Sequence, residues 1–367
     1  MKTSYHPGAD PEKNIENICQ AILQNQQLRG RFGLGSGCLG QSVFMCLYGS
    51  HTGRSAWLEK SSDLFDKACS LVDTDPSIVC PKDFSDLGSV VHFLTEAGAL
   101  DVDPGHFLAD VDDFLKDGMD HAISQGTIAG FRQGAVGYGL YFLHRARHNP
   151  QAFSKTVLEL AETLDRLAIK NPLGHYWPVI PKRPATTADL TLANGQASVV
   201  LLLTAVAEST LVDPASILPT MEMAVTYINS CLKLTRGYTL SLSFHEGLLG
   251  TGYALLRAGM VFSAPEWSAL GEAIIKQCAQ TCLETSAFPN MGITSGASGM
   301  ALLFDRVHRI TGHLIYKDTA RHCYQHLLRL TATQLKARPS IEDIPVAGSA
   351  LIRSLGGLDF DRLVWLI

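Results

Sequence analysis

The residues of this 367-residue sequence that could do chemistry stand just ahead of glycines. His245 and Glu246 precede Gly247, Thr294 and Ser295 precede Gly296, and Asn194 precedes Gly195. An imidazole beside a carboxylate is a general-base pairing, so His245, helped by Glu246, can take a proton from a thiol or another nucleophile. An unassisted cysteine is only about 3% thiolate near neutral pH, which leaves room for a base to act. The plainer alternative is that Glu246 interacts with the N-terminus of its own helix and His245 is a surface residue. A long proline-rich loop, residues 171–190, adds His175, Trp177, Lys182, Arg183 and Asp189. Loops of that length with aromatics in a compact domain usually carry function or are disordered.

The elements that must position these residues form a repeat. Gly-x-x-Gly followed by an apolar run recurs, and aligned on the second glycine or its replacement the copies fall at Gly40, Gly88, Gly137, Ser198, Gly250, Gly299 and Gly348. The steps are 48, 49, 61, 52, 49 and 49 residues, and the long loop accounts for the largest. Each copy predicts the first turns of a helix that is apolar on every side and therefore buried. Nine or ten apolar residues with polar flanks are too few to span a bilayer, so the burial is in protein. Before each copy lies an amphipathic stretch: Pro11 onward, then residues 57–72, 104–124, 151–170, 215–235, 265–285 and 313–336, with Val157, Leu160, Ala161, Leu164, Leu167 and Ala168 the clearest stripe. No stretch has strand chemistry long enough for a sheet. The pattern predicts an all-α single domain over residues 1–367, an α/α toroid of seven helical hairpins with about fourteen main helices. Its glycine-rich inner N-termini gather at one rim, where His175, Trp177, Asp189, Asn194, His245, Glu246, Asn290, Thr294 and Ser295 are expected to make a polar mouth suited to an extended peptide.

Other chemistry is set aside by location. Asp110-Val-Asp-Asp113 matches the acid motif of class II terpene cyclases. It falls on an amphipathic helix with Phe107, Leu108, Val111, Phe114 and Leu115 expected on the buried side, so its aspartates are expected in solvent. No paired rim carboxylates suggest a glycosidase. Cys38, Cys46, Cys278 and Cys282 read as core thiols, and His92 and His144 as core residues of inner helices. No metal-ligand set and no cofactor is expected.

Composition agrees with a large soluble core: 46% hydrophobic and 18% charged, with a net charge of −5 and a pI near 6.2. That charge leaves no basic footprint for nucleic acid. Nine cysteines, an odd number, and no apolar leader predict reduced thiols and a cytoplasmic protein without a transmembrane segment.

At this point the chain resembles the lanthionine synthetase C-like family over nearly its whole length. The resemblance is carried by residues 193–203 (similar to Ala-His-Gly-x-Ala-Gly), Phe244-His-Glu-Gly-Leu-Leu-Gly250 (similar to Trp-Cys-Tyr-Gly-x-x-Gly), Thr294-Ser-Gly-Ala-Ser-Gly299 (similar to Cys-His-Gly-x-x-Gly) and the ending Asp359-Phe-Asp-Arg-Leu-Val-Trp-Leu-Ile367. It implies the seven-fold α/α toroid and, for bacterial members, cyclases that add a peptide cysteine to a dehydroalanine or dehydrobutyrine. A zinc held by two cysteines and a histidine activates the thiol there. Here the family cysteines fall on His245 and Thr294, the ligand histidine on Ser295, and the proton-handling histidine on Asn194, while an arginine and an aspartate fall on Ser241 and Gly130. The resemblance thus implies lanthipeptide-type peptide modification without the family's zinc ligands. Two functions follow: a zinc-free scaffold that holds a precursor peptide for a dehydratase or separate cyclase, or a metal-independent cyclase using His245 as base.

Overall fold

The computed structural model describes residues 10–24, 31–35, 37–74, 81–132, 134–178, 189–234, 242–285, 288, 290–337, 343–360 and 363; Lys182, Arg183 and Ser241 lie outside them. Seven helices carry the predicted positions: α2 (Cys38–Thr52), α4 (Pro81–Glu96), α7 (Ala135–His148), α9 (Gln196–Glu208), α11 (Leu248–Val261), α13 (Ala297–Thr311) and α15 (Ile344–Ser354), though Gly88 falls in the middle of α4 rather than in its first turns, because that helix already starts at Pro81. The amphipathic ones alternate with them: α1 (Pro11–Gln24), α3 (Ala56–Thr74), α5 (Pro104–Phe107) with α6 (Ala109–Ser124), α8 (Pro150–Leu167), α10 (Pro214–Leu234), α12 (Pro265–Thr285) and α14 (Leu314–Ala337). The two kinds bury differently. In α9 every residue from Gln196 to Ala207 is buried, whereas α8 buries only Val157, Leu160, Ala161 and Leu164.

The glycine pair has a steric cause. The first glycine, Gly37, Gly134, Gly195, Gly247 or Gly296, is the N-cap and supplies no side-chain acceptor. The orphan amides of the first turn take carbonyls of the chain's own loop instead. Cys38 N donates to Arg31 O at 2.8 Å, Gln196 N to Asp189 O at 3.0 Å and Ala297 N to Asn290 O at 3.0 Å. For that, the loop must lie over the helix head. A Cβ on Gly40, Gly137, Gly250 or Gly299 would overlap the carbonyl six residues earlier, that of Leu34, Phe131, Phe244 or Ile293. Ser198 holds the equivalent place in the fourth repeat. Its hydroxyl donates to Gly195 O and accepts from Gly130 N.

The chain divides into two compact units, Met1–Leu108 with Thr281–Ile367, and Ala109–Gln280. In the first, α2 packs against α3, α4 and α15, α15 against α13, and α1 against α14 and α15. The last repeat therefore packs directly on the first. Asn14 Nδ2 pins α1 there, donating to Leu328 O and Thr331 Oγ1 of α14, each at 3.0 Å. In the second unit α7, α9 and α11 pack in succession, with α6 and α8 against α7, and α10 against α8 and α9.

Two local expectations change. A short antiparallel hairpin, β1 (Ile169–Asn171) and β2 (Gly174–Tyr176), pairs Lys170 with His175. Too short to show in any pattern of alternation, it is shaped by its turn, where Asn171 Oδ1 accepts from Leu173 N at 2.9 Å, and by α10, on which Tyr176 stacks against Tyr227 at 5.0 Å. Asp112 is also not in solvent. It accepts from Arg145 Nε at 2.8 Å, Arg145 Nη2 at 2.6 Å and Tyr141 Oη at 2.5 Å, while Phe114, expected inside, is 48% exposed. The helix break at Leu108 resets the phase, so that Asp112, Leu115, Met119 and Ala122 make the buried stripe of α6.

Candidate functional site

In the second unit three glycine loops are stitched together through backbone. Phe131 N and Arg132 N donate to Leu192 O and Ala193 O, each at 3.1 Å, and Ala193 N donates to His245 O at 2.9 Å. This fixes Arg132, Asn194, His245 and Glu246 on one edge whatever their side chains do. Gly130 makes the close approach possible. Its φ is +104°, and a Cβ there would lie 2.8 Å from Ala193 O and from Asn194 Cα. The position where the family resemblance implies an aspartate thus has no room for a side chain.

His245 is 4% exposed, set edge-on to Phe131 with ring centroids 6.2 Å apart and against Phe244 at 4.8 Å. Glu246 is exposed, and its carboxylate accepts from Arg132 Nη2 at 2.9 Å. The expected His245–Glu246 partnership therefore gives way to an Arg132–Glu246 ion pair. Arg132 was not singled out in the sequence, yet a signal for it existed. It stands two residues before its glycine, the same register as His245 and Thr294.

The long-loop residues take structural places. Trp177 is fully buried, its indole N–H on Leu164 O at 2.8 Å and its backbone bonded both ways to the Gln196 side chain at the head of α9. His175 lies on the hairpin against α10, where burial first, and Lys170 second, push its imidazole below the ordinary value. Asp189 shapes the turn into α9, with its carboxylate on the Thr191 amide at 2.8 Å and hydroxyl at 2.7 Å.

In the first unit the loop before α13 is held by side chains. Asn290 Oδ1 accepts from Gly292 N at 2.9 Å, and its Nδ2 donates to Ser295 Oγ at 3.1 Å. Asp343, the N-cap residue of α15, has a left-handed backbone with φ +64° and makes no side-chain cap hydrogen bond to its helix. Its carboxylate lies over Gly292, whose Cβ would come within 3.1 Å of it. Thr294 and Ser295 are half-buried in the same turn.

The cysteines behave as core. Cys38, Cys46, Cys278 and Cys282 are fully buried, and burial pushes the Cys46 thiol up to about 12, the opposite of a reactive thiolate.

The alternation of buried glycine-headed helices with amphipathic ones is also the architecture of a known structure. The solved structure titled nisin cyclase is similar over 95% of this chain and 99% of its own, with a TM-score of 0.66 at 13% identity. At that identity the likeness shows the fold, which is all-α and of the α/α toroid class. The family model described as lanthionine synthetase C-like protein matches residues 30–239, more than half the sequence, and the chain belongs to that family. A search of curated proteins found no match. Among the described residues no helix is long and apolar enough to cross a membrane.

Proposed function

We propose that this protein works in lanthipeptide-type peptide modification as a scaffold, free of the family's catalytic zinc, that holds a precursor peptide for a dehydratase or a separate cyclase. The observation that carries this reading is the donor chemistry at the motif positions. A catalytic zinc is held by three thiolate, imidazole or carboxylate ligands and keeps one open place. His245, Thr294 and Ser295 offer one imidazole and two neutral hydroxyls, which are poor zinc ligands. They do not fit the ion. Turning Glu246 to Arg132 rather than to the imidazole also weighs against the metal-independent cyclase with His245 as base. What the second unit offers is polar recognition: an exposed ion pair beside Asn194, set on a backbone-bonded edge suited to the carbonyls and charges of an extended chain. The eight described cysteines form no disulfide, in keeping with a reducing, cytoplasmic setting.

The test uses the full chain and a synthetic peptide bearing one cysteine and one dehydroalanine. Fluorescence polarisation should report binding, and thiol titration should report no thiol consumed, with or without added zinc. Arg132→Glu, which sets two like charges together, should weaken binding about tenfold. Zinc-dependent loss of the peptide thiol would overturn the scaffold reading.

A further inference from the structure

α7 ends in a second arrangement of imidazoles, far from its glycine head. His144 and His148 are four residues apart, one helical turn, and so share a face of the helix. Their ring centroids are 4.9 Å apart with planes at 65°, and a ring nitrogen of one lies within 4.8 Å of a ring nitrogen of the other. A single ion bonded at about 2.1 Å to each nitrogen can close that span by a small rotation of the exposed His148 ring.

The surroundings hold this pair in place. Asn149 ends the helix, its amide donating to Arg145 O at 2.8 Å and its side-chain oxygen accepting from Ala152 N at 3.2 Å to start α8 at Pro150. His148 is thus the last helical residue before a proline stop, not part of a fraying end. The helix C-terminus presents its negative pole there, which favours a cation. Arg145, between the two histidines in sequence, is neutralised: it turns inward to Asp112 and lies over Phe153 at 4.7 Å.

We propose that His144 and His148 form a binding site for a late first-row divalent ion such as Zn²⁺ or Ni²⁺. Imidazole is the ligand these ions share. The same spacing occurs at His322 and His326 on α14, but there Phe288 lies against both rings, at 6.1 Å and 4.6 Å. That pair is covered by an aromatic ring, and it serves as the internal control.

The experiment is isothermal titration of the full chain with ZnCl₂ and with NiCl₂ at pH 7.5, repeated on the double variants His144→Gln/His148→Gln and His322→Gln/His326→Gln. One ion per chain is expected, lost in the first variant and kept in the second. Failure of the unaltered chain to bind, or unchanged binding in the first variant, would overturn the site. His148→Gln alone, at an exposed position, should also abolish tight binding without altering the thermal melt of the metal-free chain; binding that survives it counts against the proposal. The site does not depend on the scaffold reading. The peptide-thiol assay run on the His144→Gln/His148→Gln variant tests that reading with this ion removed.

Discussion

The glycine-loop edges of the two units are built in different ways. In residues 109–280 three consecutive loops are joined through backbone amides and carbonyls, and the side chains Arg132, His245 and Glu246 ride on that frame. In the other unit the loop from Asn290 to Gly296 is held by side chains as well as by backbone bonds to the head of α13, with Asn290 bonded to Gly292 and Ser295, and Asp343 set over Gly292. The first edge can change its side chains without losing its shape. The second cannot, so substitutions at Asn290 or Asp343 should alter geometry as well as chemistry. This bears on the motif positions directly: His245 stands on the frame that is indifferent to its identity, while Ser295 is part of what holds its own turn.

The strongest way to break the backbone-built edge is Gly130→Ala. It puts a methyl 2.8 Å from Ala193 O and requires an L-residue at φ +104°. A loss of about 2–3 kcal/mol in urea unfolding is expected, summing strain and overpacking. A loss below about 0.5 kcal/mol would mean that the loops are not held this closely.

For the side-chain-built edge the matching change is Asn290→Ala. Two hydrogen bonds go, for a cost of about 1–2 kcal/mol. Hydrogen exchange should show the Gly292 amide losing protection while the Phe131 and Ala193 amides keep theirs. Equal loss at all three would erase the contrast between the edges.

The smallest effect is on pH. Burial first, and the Arg329 charge second, hold His322 and His326 below the ordinary imidazole value, and His322 also depresses His326. The unfolded chain takes up these protons near pH 6.5 and the folded chain only at lower pH, so between the two the unfolded state binds more protons. Stability is therefore fully present above about pH 6.5 and falls as pH drops toward the lower folded values. Because Phe288 rests on these rings, the first unit's loop should loosen before the second unit's. Melting temperature should fall from pH 7 to 5.5, and His322→Gln/His326→Gln should flatten that fall.

The sequence by itself determined the alternation of helices and their register. Glycines three apart at a helix head, and apolar stripes at 3.6-residue spacing, are local features with local causes, so α12 spans Pro265–Thr285 as its stripe predicted and α8 buries Val157, Leu160, Ala161 and Leu164 of its stripe, with Leu167 and Ala168 only half-buried where the helix ends. The motif heads that identify the family were legible for the same reason. What only tertiary structure decided are the identities of partners. Nothing local says that Asp112 meets Arg145, thirty-three residues on, that Glu246 turns to Arg132 rather than His245, or that Trp177 fills a core instead of facing a ligand. A carboxylate or an indole N–H takes whichever complementary group the packed backbones bring within about 3 Å, and that is set by neighbours distant in sequence. The four-residue spacing of His144 and His148 was in the sequence, but only the turned-away Arg145 and the fixed helix end leave the two rings facing one another.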